Sequence, residues 1–505
     1  MAITAMVMVK NTNNNRKIYH LNIIGLLYLM VVAPSLVFAG DWTLIPNISL
    51  DETFTDNVEL TPVETTSSFV TQTIAGLDAE YKSSLTTLHW SGTQIYALYS
   101  HDSELNDHFR TLSANGQHSF WNGGPALTAS ASIANISQNN ARNGQADIVS
   151  GGTVQQNSYS TGLQYNFGNS SYSVTSSANY DITRVEDSIG ESNGFTAQLG
   201  SENGNNARHL YWQLSTGYTK RMQQSTDNNG ENYTVEALLG AITPWNLNPF
   251  IRYYDENVQG SGVNQNLNIT SSWGPGIRWL ATPHIIIDLS YNFVADETAS
   301  DDYVDTSIQW EPSARTSLTL GFSQRFFGHA YNLNFSHQTR RLTNSISYDE
   351  TLQVFDRNTY QDITPGVPEL VESDEFSLNK RLAWSSQLQL SRTSFNVTIS
   401  ANERTSLETD IVDDTFGTNI SVTRTISAKS SLSLSAEFNY SIYDNDNPEG
   451  SRQEDYYRSI SANFTRNLAS SLSCYFTVEH INRDSTIDSF SYDEVRAIIN
   501  ITKEF

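Results

Sequence analysis

From Asp41 onward the chain repeats one unit: a run of alternating apolar and polar side chains, a short turn, another such run, a longer polar loop. A period of two puts each set of side chains on one face of a strand. Leu127, Ala129, Ala131 and Ile133 form one such apolar face, and Leu432, Leu434, Ala436, Phe438 and Tyr440 another. The closing run, residues 495–505, sets Val495, Ala497, Ile499, Ile501 and Phe505 on one side, interrupted only by Lys503. Arg496, Asn500, Thr502 and Glu504 take the other side, with Ile498 the exception. Helical periodicity is nowhere sustained, and Gly and Pro gather at connections.

So many half-apolar strands must bury one face each. After the first forty residues no apolar run is long enough for a membrane-spanning helix. A barrel crosses a bilayer by alternation instead, so a mean hydropathy of −0.40 is compatible with a membrane protein. The connections alternate in length. Short ones fall at 167–171, 243–249, 281–284, 311–315, 391–394, 427–430 and 467–471; long ones at 135–157, 255–265, 351–375, 403–414 and 443–455. With Phe505 at the periplasmic end, every short turn lies inside and every long loop outside, the tight turn at 326–330 being the one break. These features predict a large single-chain transmembrane antiparallel β-barrel of about 24 strands, within about 22–26. Alternation already begins at Trp42, so no N-terminal plug domain is expected. Trp42, Trp90, Trp121, Trp245, Trp279, Trp310, Tyr456 and Tyr457 recur near strand ends, as interfacial girdles require.

The first residues read as an export signal. Lys10, Arg16 and Lys17 precede an apolar stretch from Leu21 to about Phe38, and Val37-Phe38-Ala39 ends on a small residue. Residues 1–39 are expected to be removed, leaving 40–505 as the barrel; Pro34 and the Ala39-Gly40 site argue against an uncleaved anchor. Cys474, the only cysteine, excludes an intrachain disulfide and alternates with Leu472 and Phe476 on an apolar face. A net charge of −25 excludes a nucleic-acid partner of the usual basic kind. The charge is also sorted. Arg315, Arg340, Arg341, Arg392, Lys429 and Arg466 count to the periplasmic rim. Asp301, Asp302, Glu372, Asp374, Glu375, Asp413, Asp414, Asp444 and Asp446 count to the outside.

No catalytic, cofactor or metal constellation stands out, so neither enzymic activity nor a cofactor is expected. His329 and His337 lie eight apart, which is not a ligand spacing. Charges inside strands belong in the lumen, because facing lipid at mid-depth costs about 2–4 kcal/mol. Arg252 follows that rule. The alternation around Arg278 leaves its face undecided, and Lys380 shares the apolar parity of Phe376, Leu378, Leu382 and Trp384, which places it near an interface.

Residues 321–350, GFSQRFFGHAYNLNFSHQTRRLTNSISYDE, are the most individual stretch. Arg325-Phe326-Phe327-Gly328, an alternating strand, His337, Arg340-Arg341 and a Ser-Tyr-acidic ending resemble a motif of the outer-membrane barrels associated with PEP-CTERM/exosortase exopolysaccharide loci. Residues 42–58, with their Pro and Asp-Asn-Val, resemble that family's first strand, and a terminal aromatic such as Phe505 is what the barrel assembly machinery reads in many Gram-negative outer-membrane barrels. The resemblance implies an outer-membrane location among lipids, a setting of polysaccharide synthesis and surface-protein sorting, and export of the polymer together with inner-membrane export components. It carries over no catalytic residues. The residues themselves predict a wide polar-lined ring, which a loop must occlude; residues 351–375, long, aromatic-bearing and Pro-containing, are the expected occluder. A gated conduit for a hydrophilic polymer, a closed structural or adhesive barrel, and a small-solute porin all remain open.

Overall fold

The computed structural model describes residues 40–141, 146–204, 206–224, 229–260, 269–295, 301–354, 360–364, 367–370, 376–407, 411–443 and 452–505. The expected signal at 1–39 lies outside them, as do Glu372, Asp374, Glu375, Asp444 and Asp446. The chain divides into Met1–Asp41 and Trp42–Phe505, and the second unit carries the fold.

The first strands are β1 (Asp41–Thr55), β2 (Ser68–Lys82), β3 (Thr86–Tyr99), β4 (Asp107–Ser119), β5 (Ala126–Ser137) and β6 (Thr153–Gly168). Then come β7 (Tyr172–Val185), β8 (Ser192–Asn203), β9 (Leu210–Gln223), β10 (Asn229–Ala241), β11 (Leu247–Gly260) and β12 (Ile269–Thr282). The middle of the chain supplies β13 (Ile285–Val294), β14 (Tyr303–Ser313), β15 (Thr316–Arg325), β16 (Gly328–Gln338) and β17 (Leu342–Val354). A small separate hairpin, β18 (Tyr360–Thr364) with β19 (Val367–Leu370), sits between β17 and β20 (Phe376–Gln389). The last strands are β21 (Thr393–Ser406), β22 (Val412–Ser427), β23 (Ser430–Tyr443), β24 (Gln453–Ala469), β25 (Leu472–Ser485) and β26 (Tyr492–Glu504).

Each strand pairs with the next, β17 pairs with β20 across the hairpin, and β26 returns to β1. Twenty-four strands therefore form one closed sheet, the number the connections predict. At the seam Asn47 stands opposite Glu504 and Thr55 opposite Arg496. Beyond the ladder Phe505 donates its N–H to the Pro46 carbonyl at 2.9 Å, and the Asp56 carboxylate accepts from the Val495 N–H at 2.8 Å. Closure leaves no edge strand unpaired, which is the condition for backbone polar groups to tolerate an apolar medium.

The alternation resolves into an outside and an inside. Leu127, Leu163, Leu210, Leu289, Tyr291, Leu434, Phe476, Ile499 and Ile501 are exposed on the outer face, whereas Ser49, Asp51, Thr53, Glu494, Arg496 and Asn500 are buried on the inner one. Arg278, undecided from the sequence, points inward while Trp273, Ile277 and Trp279 point out; its register partner on β13 is Asp288. Cys474 lies opposite Ile501, on the outer face. Lys380 keeps the outward parity and pairs with Glu403 at 2.6 Å.

Trp42 and Glu504 share one rim, here the terminal rim. Every predicted short turn lies on it and every predicted long loop on the opposite, loop rim. The strands outrun the predicted boundaries there: β5 reaches Ser137, β11 Gly260 and β21 Ser406. Their polar tips stand past the apolar band, where hydropathy gives no alternation to read. Trp42, Trp121, Trp245, Trp279 and Trp310 are exposed toward the terminal rim, Trp245 at 78%. The other border is marked by tyrosines and ion pairs, among them Tyr440 stacked on Tyr456 with centroids 4.8 Å apart, and Lys220 with Glu231.

Candidate functional site in the lumen

Toward the terminal rim the inner wall is a lattice of hydroxyls and amides. Serine and threonine side chains face each other across adjacent strands: Ser345 and Ser385 at 2.7 Å, Ser435 and Ser461 at 2.6 Å, Thr423 and Ser433 at 2.8 Å. On the β6–β10 arc Gln164, Asn166, Thr175, Gln198 and Ser215 line a recess of about 510 Å³.

From mid-height toward the terminal rim the wall of β10–β17 carries charge. Arg278 grips Asp288 through two contacts of 2.7 Å and lies over the Tyr211 ring at 4.7 Å. Arg252, 4% exposed, donates to Glu236 at 2.7 Å and to the Tyr303 hydroxyl at 3.3 Å, and pairs with Asp305 at 3.4 Å. Glycine makes room for the aromatic bodies: a Cβ on Gly276 would stand 2.3 Å from the Phe250 ring. These groups enclose a cavity of about 500 Å³ open to the lumen.

At the loop rim the inner face is covered. The β5–β6 loop, residues 138–152 with 142–145 outside the described residues, reaches across the lumen to strands on both sides of the seam. Its Asp147 pairs with Arg496, and Ser150 donates to Glu494 at 2.8 Å. Glu494, wholly buried, also accepts from Arg496 at 2.7 Å and from Thr55 at 2.5 Å. At the loop's other end the Ala141 carbonyl accepts from Gln453 at 2.6 Å and from Arg483 at 2.8 Å, and Arg483 pairs with Asp455 at 2.6 Å. Tyr99 donates to the Ile148 carbonyl at 2.7 Å, and Val149 packs on Val58, Val70 and Ala97. A buried ion stays charged only with a partner, and each of these has one.

A second covered region lies around β11 and β15–β21. Phe326 packs with Val258 and Phe376, joined by Leu352 and Leu407. Arg325 pairs with the wholly buried Glu256 and lies 4.8 Å over the Phe327 ring. Phe376 has the parity that faces outward lower on β20, where Leu382 is 41% exposed, yet it is 1% exposed beneath these neighbours. Gly328, at φ +111°, closes the two-residue turn of Phe326 and Phe327 in a conformation that favours glycine.

The motif residues thus separate. Arg325, Phe326, Phe327 and Gly328 meet at the loop rim, inside the second covered region. His337 bonds Thr316 at 2.8 Å toward the terminal rim, and Arg340 and Arg341 stand exposed in the turn beyond it, one strand length away. Phe505 lies at the seam. Of the other stretch, Asp56 ties β1 to β26 and Val58 packs on the inward loop. The expected occluder, 351–375, is described only in part: Leu370 packs against Ala141 and Tyr443. The inward contacts found among the described residues belong mainly to 138–152. Its polar anchors on β24–β26 join residues more than three hundred positions apart, as Ala141 and Arg483 do, so no local signal announces them.

No family model and no curated protein matches the chain. Solved structures similar to it include OmpT of Vibrio cholerae with loop L8 deleted, at 10% identity and a TM-score of 0.35, over 92% of this chain and 100% of that one. OpdK, an outer membrane protein of Pseudomonas aeruginosa, follows at 7% and 0.35, over 92% and 99%. The siderophore receptor PirA from Acinetobacter baumannii stands at 8% and 0.43, over 91% and 80%. Likeness at this level carries no weight for function, and the barrel rests on its own strand pairing.

Proposed function

We propose that this chain is an outer-membrane barrel that conducts a hydrophilic polymer, with the loop 138–152 closing the lumen at rest. The observation that carries the reading is the pairing of an apolar outside with a hydroxyl-lined inside around a closed ring of 24 strands. An exposed apolar belt of this extent on a free-standing soluble protein would drive association, whereas a bilayer satisfies it. The wall of serine, threonine, asparagine and glutamine offers donors and acceptors without fixed charge, which suits the hydroxyls of a polysaccharide. The resemblance of residues 42–58 and 321–350 to barrels of exopolysaccharide loci supports a polysaccharide over a small solute. A conduit role needs no catalytic group.

Planar-bilayer recording tests this directly. The intact chain is expected to conduct little, and a variant with 138–152 replaced by a short Gly-Ser turn to conduct in large, long-lived steps. A barrel that stays silent after this replacement, and after removal of 355–375 as well, would leave a structural or adhesive role.

A further inference from the structure

Seven cations crowd one arc of the terminal rim. Arg315, Arg340, Arg341, Arg392, Arg424, Lys429 and Arg466 are all exposed and lie on or beside five consecutive turns, from β14–β15 round to β24–β25. Among the described residues none of their side chains has an ion pair or hydrogen bond within the chain, and Glu311 is the one carboxylate in those turns. The other six turns of this rim hold little basic charge: Lys82 is spent on Glu80 at 2.5 Å, which leaves Arg208. Although the chain carries a net charge of −25, it sets almost no carboxylate among these cations, which leaves them free to pair with anions outside the chain.

The position of the arc selects the partner. Arg424 and Arg466 share the outward face with Ile426, 51% exposed, and Leu468, 48% exposed, so they flank the border of the apolar belt rather than the lumen mouth. A polymer threading the pore would not reach them. Long cationic side chains at that border extend toward headgroup phosphates while their stems lie on apolar surface. We infer that this arc binds the phosphates of anionic phospholipids in the leaflet at the terminal rim, fixing one side of the barrel to that leaflet. The inference rests on the membrane placement proposed above, and it gives the Arg340-Arg341 pair a task.

The test is reconstitution of the full chain into vesicles of phosphatidylcholine alone and of phosphatidylcholine with phosphatidylglycerol, with resistance to urea unfolding as the readout. Anionic vesicles are expected to shift the unfolding midpoint upward. The variant carrying Arg340→Gln, Arg341→Gln and Arg392→Gln is expected to lose most of that shift, at about fivefold in lipid affinity per charge removed. The matching Arg→Lys variant should keep most of it, and Arg208→Gln should change nothing. Equal midpoints in the two vesicle types, with the barrel inserted in both, would overturn the inference and leave the membrane reading standing. Failure to insert into either would overturn the membrane reading itself. A shift reproduced by glycerol phosphate in free solution would also overturn it, by assigning the arc to soluble phosphates.

Discussion

Toward the loop rim the inner wall carries Arg404, Arg483 and Arg496, each buried and each set against a carboxylate. Toward the terminal rim the neighbouring strands β17, β20, β23 and β24 present Ser345, Ser385, Ser435 and Ser461, which bond one another in pairs. The difference follows from what each half must hold. A loop bridging a wide lumen needs strong, directional anchors, because ordering it costs about 1–2 kcal/mol per residue in backbone entropy. A wall along which a flexible polymer slides needs the opposite: many weak, equivalent contacts with no deep well. On the β20–β26 arc charge is therefore concentrated where the chain grips itself and thinned where it would grip a passenger, whereas on β12 and β13 the Arg278–Asp288 pair keeps charge toward the terminal rim.

The sharpest way to break this contrast is at Arg496. Arg496→Met leaves Glu494 and Asp147 buried without their cation, and the expected loss is about 3–5 kcal/mol in the urea unfolding of the folded barrel. An unchanged midpoint would mean that this half of the lumen is as wet as the other. Next is the outer belt: Leu434→Arg sets a charge at mid-depth and is expected to cost about 2–4 kcal/mol in bilayer but little in mild detergent, read as the difference between the two media. Phe326→Ala probes the second covered region, with an expected loss of about 2–3 kcal/mol because the ring is only partly buried. At the terminal-rim end, Ser435→Ala with Ser461→Ala removes both partners of one hydroxyl pair. Less than about 1 kcal/mol should be lost, with the unfolding midpoint near that of the unmodified chain. A larger loss there would show that the hydroxyl lattice is structural and not merely a lining.

Much of this architecture was legible in the residues. Alternation alone put Leu127, Leu434, Ile499 and Ile501 on the outer face, and turn lengths gave the strand number and the rim on which each connection falls. The tight turn at 326–330 stood out as the exception and proved to be part of a covered cluster. Three things were not legible, each for a physical reason. Arg278 sits where Gly274, Pro275 and Gly276 interrupt the alternation, and only pairing with Asp288 on the next strand fixes its face. The tips of β5, β11 and β21 rise beyond the apolar belt, so their outward side need not be apolar. The inward loop is held by partners that adjoin it only once the ring is shut; of 351–375, to which length and aromatic content point, the described Leu370 packs against Ala141 of that loop and Tyr443.

One carboxylate has a consequence for biogenesis. Glu494 on the final strand receives Thr55 from the opening strand and Ser150 from the loop, so a single group registers both the joining of the chain's two extremities and the seating of the stopper. Until β26 arrives there is no berth for Ser150, and a partly assembled cylinder stands uncorked. Assembly intermediates of this protein should therefore let ions and dyes through, and falling permeability would report in real time that the last staple has been driven home.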